Sequence, residues 1–198
     1  GIKEALRDLL AVTLPHPPAN VLHEVAARHA GLGRRPYVVV HMGTAAAIKE
    51  WPIDRWRMLI QKLLEGGYEI ALTGRGTREK QQAEEASKGL PRCYHLCDAL
   101  SWVELLSVIA GADALYGVDS LAGHLAAAMG TPTASLFTGI NKATLWRPFS
   151  PYNHLVTHHM PCAPCYKKNG CLSMECIREI PVDNIPLPDS LKKRAHAH

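Results

Sequence analysis

The sequence predicts an α/β fold, a parallel sheet with helices on both faces, and three observations carry that expectation. Short β-branched runs such as Tyr37-Val-Val-Val-His41 are continuous and apolar, as in strands covered on both sides. They alternate with longer segments whose apolar residues recur at helical spacing, Trp56, Leu59, Ile60, Leu63 and Leu64 among them. The connections at one end of this alternation are polar and glycine-rich, whereas those at the other mostly just end helices. Strand–helix–strand units pack back on a sheet by right-handed crossovers, which makes neighbouring strands parallel. A chain of 198 residues suffices for one such domain with an appendage.

Taken in order, residues 1–35 carry Ile2, Leu6, Leu9 and Leu10, then Val21, Leu22, Val25 and Ala26, in two amphipathic stretches split by Pro15-His-Pro-Pro18. We read them as a linker or packing helices. The chain begins at Gly1 rather than Met, and is expected to be a piece of something longer. Residues 36–160 form the central domain. After the strand Tyr37–His41 comes the helix built on Trp56 to Leu64, stopped by Gly66-Gly67. Tyr68–Leu72 is a second strand, followed by Thr73-Gly-Arg-Gly-Thr77 and a polar helix from Arg78 towards Ser87. A short strand over Cys93–Leu96 precedes Ser101-Trp-Val-Glu104, which has the form of a capping box and opens a helix ending at Gly111. Ala112–Val118 is a buried strand ending at Asp119-Ser120. Leu121, His124, Leu125, Ala128 and Met129 then switch to helical period, and Gly130-Thr-Pro132 stops that helix. A strand Thr133–Phe137 and a loop Thr138–Lys142 follow, and residues 161–198 form a cysteine-rich knuckle and tail.

Composition narrows the function classes. Hydrophobic residues at 47% and charged residues at 20% are the proportions of a globular protein. A net charge of +4, with Lys and Arg scattered apart from Lys192-Lys-Arg194, argues against a nucleic-acid partner. It leaves room for weak peripheral attraction to an anionic membrane surface. No apolar run reaches the ~20 residues of a membrane helix, and the N-terminus lacks a signal-peptide layout.

Parallel sheets bind ligands beyond the carboxyl ends of their strands. The segments His41–Lys49, Thr73–Glu79, Asp98–Ser101, Asp119–His124 and Thr138–Asn141 fall at that edge. Asp119, Ser120, Gly123 and His124 cluster where a strand turns into a helix N-terminus, where free amides and the dipole favour an anion. The plainer reading makes Ser120 a helix cap and His124 a buried histidine. Lys49, just past Gly43-Thr44, stands where a phosphate-binding cation belongs, or is a solvated surface charge. Its spacing excludes the triphosphate P-loop. Gly74, in Thr73-Gly-Arg-Gly-Thr77, can cradle an anion. Glu79 either bonds a ribose hydroxyl or simply favours the dipole of its helix. A Ser–His–Asp hydrolase is disfavoured, because no Gly-x-Ser-x-Gly elbow exists and Ser120 and His124 are too close in sequence for a standard triad. Cys162, Cys165, Cys171 and Cys176 leave three alternatives: one tetrahedral zinc or iron, two local disulfides, or reduced thiols.

The succession His41-x-Gly-Thr44, Lys49-x-Trp-Pro52, Thr73-Gly-x-Gly, Glu79, Val118-Asp-Ser-x-x-x-His-Leu-Ala-Ala-Ala-x-Gly130 and Pro132–Phe137 resembles the C-terminal half of the ADP-heptose:lipopolysaccharide heptosyltransferases, glycosyltransferase family 9. The resemblance runs from Arg35 to Ile185, and a cysteine-rich run after the last strand also resembles many members. It implies a Rossmann-like domain, one of the two that face each other in a GT-B glycosyltransferase. The C-terminal domain binds the nucleotide-sugar donor, while the N-terminal one holds the acceptor and the base. By position, Thr44 and Lys49 resemble donor-phosphate contacts, Glu79 matches a residue near the ribose, and Leu100 falls beside the adenine. Asp119, Ser120 and His124, with Gly123 between, match the motif lining the diphosphate and sugar. Leu121-Ala122-Gly123 replaces the family's frequent Gly-Leu-x, and Thr138-Gly-Ile-Asn141 departs from its Gly-Pro-Thr-Asp-like loop, which leaves the donor sugar open.

The resemblance therefore implies a bacterial, cytoplasmic enzyme, at most at the inner face of the membrane. It moves heptose or a related sugar from an ADP-sugar to the lipopolysaccharide core or lipid A acceptor, needing no cofactor. The chain alone, lacking the acceptor domain and the base, is expected to be inactive. Two other readings stay open: a non-catalytic nucleotide-binding module with a metal-stabilised cysteine knuckle, and another nucleotide-sugar enzyme such as an epimerase.

Overall fold

The computed structural model describes residues 16–29 and 31–194. The amphipathic stretch from Ile2 to Leu10 lies outside the described residues. Six strands among those described form one parallel sheet: β1 (Tyr37–His41), β2 (Glu69–Thr73), β3 (Cys93–His95), β4 (Ala114–Val118), β5 (Thr133–Phe137) and β6 (Asn153–Thr157). Their spatial order is β3-β2-β1-β4-β5-β6. Five of them coincide with the expected runs. β6 was not expected, for a physical reason. It is an edge strand paired only with β5, and Val156 is its one buried residue, so its sequence carries no apolar run.

The helices are α1 (Ala19–Arg28), α2 (Ile53–Glu65), α3 (Thr77–Ser87), α4 (Trp102–Ala110), α5 (Leu121–Met129) and three short ones, α6 (Ala143–Trp146), α7 (Glu175–Arg178) and α8 (Pro188–Arg194). Alternation along each strand sends successive side chains to opposite faces. Val38 and Val40 of β1 join one core with Trp56, Leu59, Ile60 and Leu63 of α2 and Ala83 and Ala86 of α3. Tyr37 and Val39 join the other, with Val25 of α1, Leu106 and Ile109 of α4, and Leu125 and Ala126 of α5. Trp51 and Trp56 meet edge to face at 5.0 Å within the first core.

That first core is completed from far along the chain. Ile177, Ile180, Val182, Ile185 and Leu191 pack into it. Trp51 Nε1 donates to the Ile180 carbonyl at 3.2 Å, and Tyr116 Oη to that of Pro186 at 2.9 Å. Both aromatic side chains are thus buried with their polar atoms satisfied. No helix among the described residues is long and apolar enough to cross a membrane.

Two features of this fold position the site. Strand order reverses between β1 and β4, which opens a crevice at the carboxyl edge. α4 and α5 also pack side by side with their N-termini at that edge. The α4 terminus is pinned by the expected capping box: Ser101 Oγ accepts from the Glu104 amide at 3.4 Å, and the Glu104 carboxylate accepts from the Ser101 amide at 2.7 Å. Arg28 of α1 also holds Glu104.

Candidate functional site

A cavity of about 850 Å³ occupies the crevice, a volume suited to a small-molecule ligand. Four of the five polar segments expected at this edge line it, contributing residues from His41 to Lys49, from Thr73 to Glu79, from Asp98 to Ser101, and from Asp119 to His124. The fifth, Thr138–Asn141, does not reach it. Instead the cysteine segment lies across that loop, with the Cys165 amide donating to the Gly139 carbonyl at 3.0 Å and that of Tyr166 to Ile140 at 2.8 Å.

One part of the cavity lining is polar. Lys49 Nζ donates to Asp119 Oδ2 at 2.6 Å, with side-chain exposures of 27% and 18%. The ammonium is therefore neither a loose surface charge nor an uncompensated cation, but is held at the mouth of α5 by a carboxylate. Ser120, the residue before α5, makes no capping bond, and its Oγ is buried without a hydrogen-bond partner. This departs from the plain capping reading. A buried orphan hydroxyl is costly unless something supplies its partner, and this one belongs to a cavity-lining residue. The first amides of α5 are unpaired within the helix as well. Thr44 is buried and also lines this wall. His124 lies one turn into α5 and lines the cavity. Withdrawal of its ring from water lowers its pKa while Asp119 pulls the other way, so it is a neutral hydrogen-bonding group near pH 7. Gly123 is not in the lining. A Cβ there would meet Pro148 at 3.0 Å and Ser135 at 3.5 Å, so the glycine lets α5 seat against β5 and the loop beyond α6.

A second part of the lining is built around Glu79. Its carboxylate accepts from the Arg75 amide at 2.7 Å and occupies the space where a Cβ on Gly43 would stand; one on Gly74 would come within 2.9 Å of it. The glycines of His41-x-Gly-Thr44 and Thr73-Gly-x-Gly thus form a seat for this carboxylate. Neighbouring Arg78 donates to the Thr44 carbonyl at 2.6 Å and pairs with Glu50 at 3.1 Å, tying the loops after β1 and β2 together. Asp98 accepts from the Gly76 amide through both oxygens, at 2.9 and 3.0 Å. Leu96, Leu100, Leu105 and Trp102 make the adjoining wall apolar.

Two polar or aromatic lining residues, His41 and Trp102, carry no role in the sequence analysis. His41, the last residue of β1, bonds Thr73 Oγ1 through Nδ1 at 3.0 Å, and burial pushes its pKa down to about 4. The signal was a polar residue ending a run of buried valines. Trp102 opens α4 with 57% of its surface exposed. Its signal was an aromatic just inside a capping box, on the positive edge of the sheet.

The four cysteines expected as metal ligands or disulfide partners are brought to one place. Cys162, Cys165, Cys171 and Cys176 do line one small cavity, of about 40 Å³. All are free thiols, so the alternative of two local disulfides is not met. Among the described residues, however, no three His, Cys, Asp or Glu side chains are grouped so as to hold a metal ion. Cys162 and Cys171 are exposed while Cys176 is buried; burial and the neighbouring thiols of Cys171, Cys165 and Cys162 raise the Cys176 pKa, against a bond with the Gly139 backbone.

A doubly wound sheet whose switch-point cavity joins a lysine, a helix N-terminus and apolar side chains defines a Rossmann-like domain. Residues 15–174 match the family model described as glycosyltransferase family 9 (heptosyltransferase). Lipopolysaccharide heptosyltransferase 1 of Pseudomonas aeruginosa is 37% identical over 170 residues, a match covering 83% of this chain and 47% of that protein. Lipopolysaccharide heptosyltransferase 3 of Escherichia coli is 33% identical over 144 residues, covering 70% and 41%. The chain belongs to glycosyltransferase family 9, and it spans about half the length of the curated relatives it matches.

Among solved structures, the E. coli ADP-heptose lipopolysaccharide heptosyltransferase II superposes with a TM-score of 0.73 at 18% identity, covering 93% of this chain and 56% of that one. The E. coli heptosyltransferase WaaC with ADP gives 0.56 at 25% identity, covering 64% and 39%. The fold is that of one domain of a GT-B glycosyltransferase.

Proposed function

We propose that the chain is the donor-binding half of a bacterial transferase that moves heptose, or a related sugar, from an ADP-sugar to a lipopolysaccharide core acceptor. One observation carries the reading. Lys49, the orphaned Ser120 hydroxyl and the N-terminus of α5 meet in a cavity that Leu96, Leu100 and Leu105 also line. Family membership supports the ADP-sugar, as does the ADP named with the E. coli WaaC structure.

In this reading the diphosphate lies at the polar part of the lining, with Glu79 towards the ribose and Leu100 beside the base. An acceptor hydroxyl attacks the anomeric carbon, the bond from that carbon to the diphosphate oxygen breaks, and negative charge grows on the diphosphate. Lys49 and the α5 amides are already in place to receive it, and preorganised donors of this kind are where rate is gained. His124, neutral, contributes a hydrogen bond rather than a charge. The same groups replace a divalent cation. We place the base that deprotonates the acceptor in the half of the relatives' length that this chain does not span, together with the acceptor site. A cytoplasmic location at the inner face of the membrane fits this reaction.

Calorimetric titration with ADP tests the proposal. The wild-type chain should bind ADP, and Lys49→Ala should weaken it by at least about tenfold, because a charge-assisted bond is lost and Asp119 is left facing the phosphates. No binding by the wild type, or equal binding by the variant, refutes the donor site.

A further inference from the structure

We infer that Trp102 is the platform on which the donor's nucleobase stacks, an inference that rests on the donor-site reading above. Trp102 and Leu121 are the first residues of α4 and α5, and each leaves 57% of its surface in solvent. Both line the cavity. Leaving an indole in water forgoes the burial that a side chain of this size ordinarily gains. The core-facing residues of α4 are Leu106, Val108 and Ile109, so Trp102 takes no part in seating its own helix. Its neighbours Leu100 and Leu105 line the same wall. The side chain is therefore an aromatic surface in the same cavity that Lys49 and Ser120 line.

A nucleoside diphosphate has the matching polarity, charged at one end and flat and aromatic at the other. Its base has a π face that any indole can cover, whichever base it is. The backbone around Trp102 is already ordered. The capping box of Ser101 and Glu104 brackets it, and Arg28 holds Glu104 from α1. Little chain entropy remains to be lost when a ligand arrives. The other exposed tryptophan, Trp146, does not line the cavity, and Trp51 and Trp56 are buried. Trp102 thus also serves as a local optical probe.

The test titrates the 198-residue chain with ADP, UDP and inorganic pyrophosphate, as wild type, Trp102→Ala and Trp102→Phe, with circular dichroism melts of each. Trp102→Ala should weaken ADP and UDP by about tenfold or more while pyrophosphate binding stays as in the wild type. Trp102→Phe should retain most of the ADP affinity but lose the quenching of tryptophan emission that ADP causes in the wild type. If the wild type binds ADP and Trp102→Ala binds it equally well, the stacking role is overturned and the donor site stands. If Trp102→Ala loses pyrophosphate as much as ADP, stacking is also overturned, since the effect is then not on the base. If the wild type binds no ADP, both the donor site and the stacking role fall.

Discussion

His41 should make the fold acid-labile in a defined window. Its ring bonds Thr73 and lines the cavity, and burial takes its pKa from an ordinary 6.5 down to about 4. The folded chain therefore holds this histidine neutral where the unfolded chain would protonate it. Between those two values the unfolded state binds the extra proton, so stability rises with pH across the window and is lost as pH falls through it. Each pH unit of difference is worth 1.36 kcal/mol, which gives an upper figure of about 3 kcal/mol. The cavity admits water beside the ring, so we expect about 2–3 kcal/mol. Urea unfolding at a series of pH values from 4 to 7 would measure it, comparing wild type with His41→Asn. The asparagine can still bond Thr73 but does not titrate. The wild-type curve should fall more steeply below pH 6.5 by that amount. Parallel curves would show that the ring is not desolvated and refute the argument.

Two further substitutions probe the local chemistry. Gly43→Ala places a Cβ on the Glu79 carboxylate, a flexible end that can swing away. The fold should then lose only the bond to the Arg75 amide, about 1 kcal/mol, while ADP affinity drops by about tenfold; unchanged affinity in calorimetry would remove Glu79 from the site. Ser101→Ala deletes half of the α4 capping box. The expected cost is about 1 kcal/mol, a fall of roughly 3 °C in melting temperature for a domain of this size, and an unaltered thermal midpoint would argue that the box does not stabilise α4.

Much of this protein was legible from local pattern. The valines of β1, the helical spacing of Trp56 to Leu64, and the Ser101–Glu104 box each express a backbone preference within a few residues, and each formed as its sequence implied. The alternation of such elements then settled a parallel sheet and the edge at which a ligand would bind. Other features depended on which distant segments come to lie together. Val156 alone gives β6 its burial, so that strand exists because β5 offers it an edge. Ser120 reads as a cap, yet its hydroxyl is left over for the cavity. Thr138–Asn141 sits at the proper edge, but the cysteine segment covers it. Four cysteines within fifteen residues suggest a common site, but which of them are exposed and which buried is set by the loops they ride on. Gly74 reads as part of an anion-cradling turn, and only the packing shows the Glu79 carboxylate seated against it and Gly43. Periodicity and propensity act over one or two turns of chain and so can specify elements and their edge. Lys49 and Asp119 lie 70 residues apart and meet at 2.6 Å only because β1 and β4 are neighbours in the sheet, which strand order and packing decide.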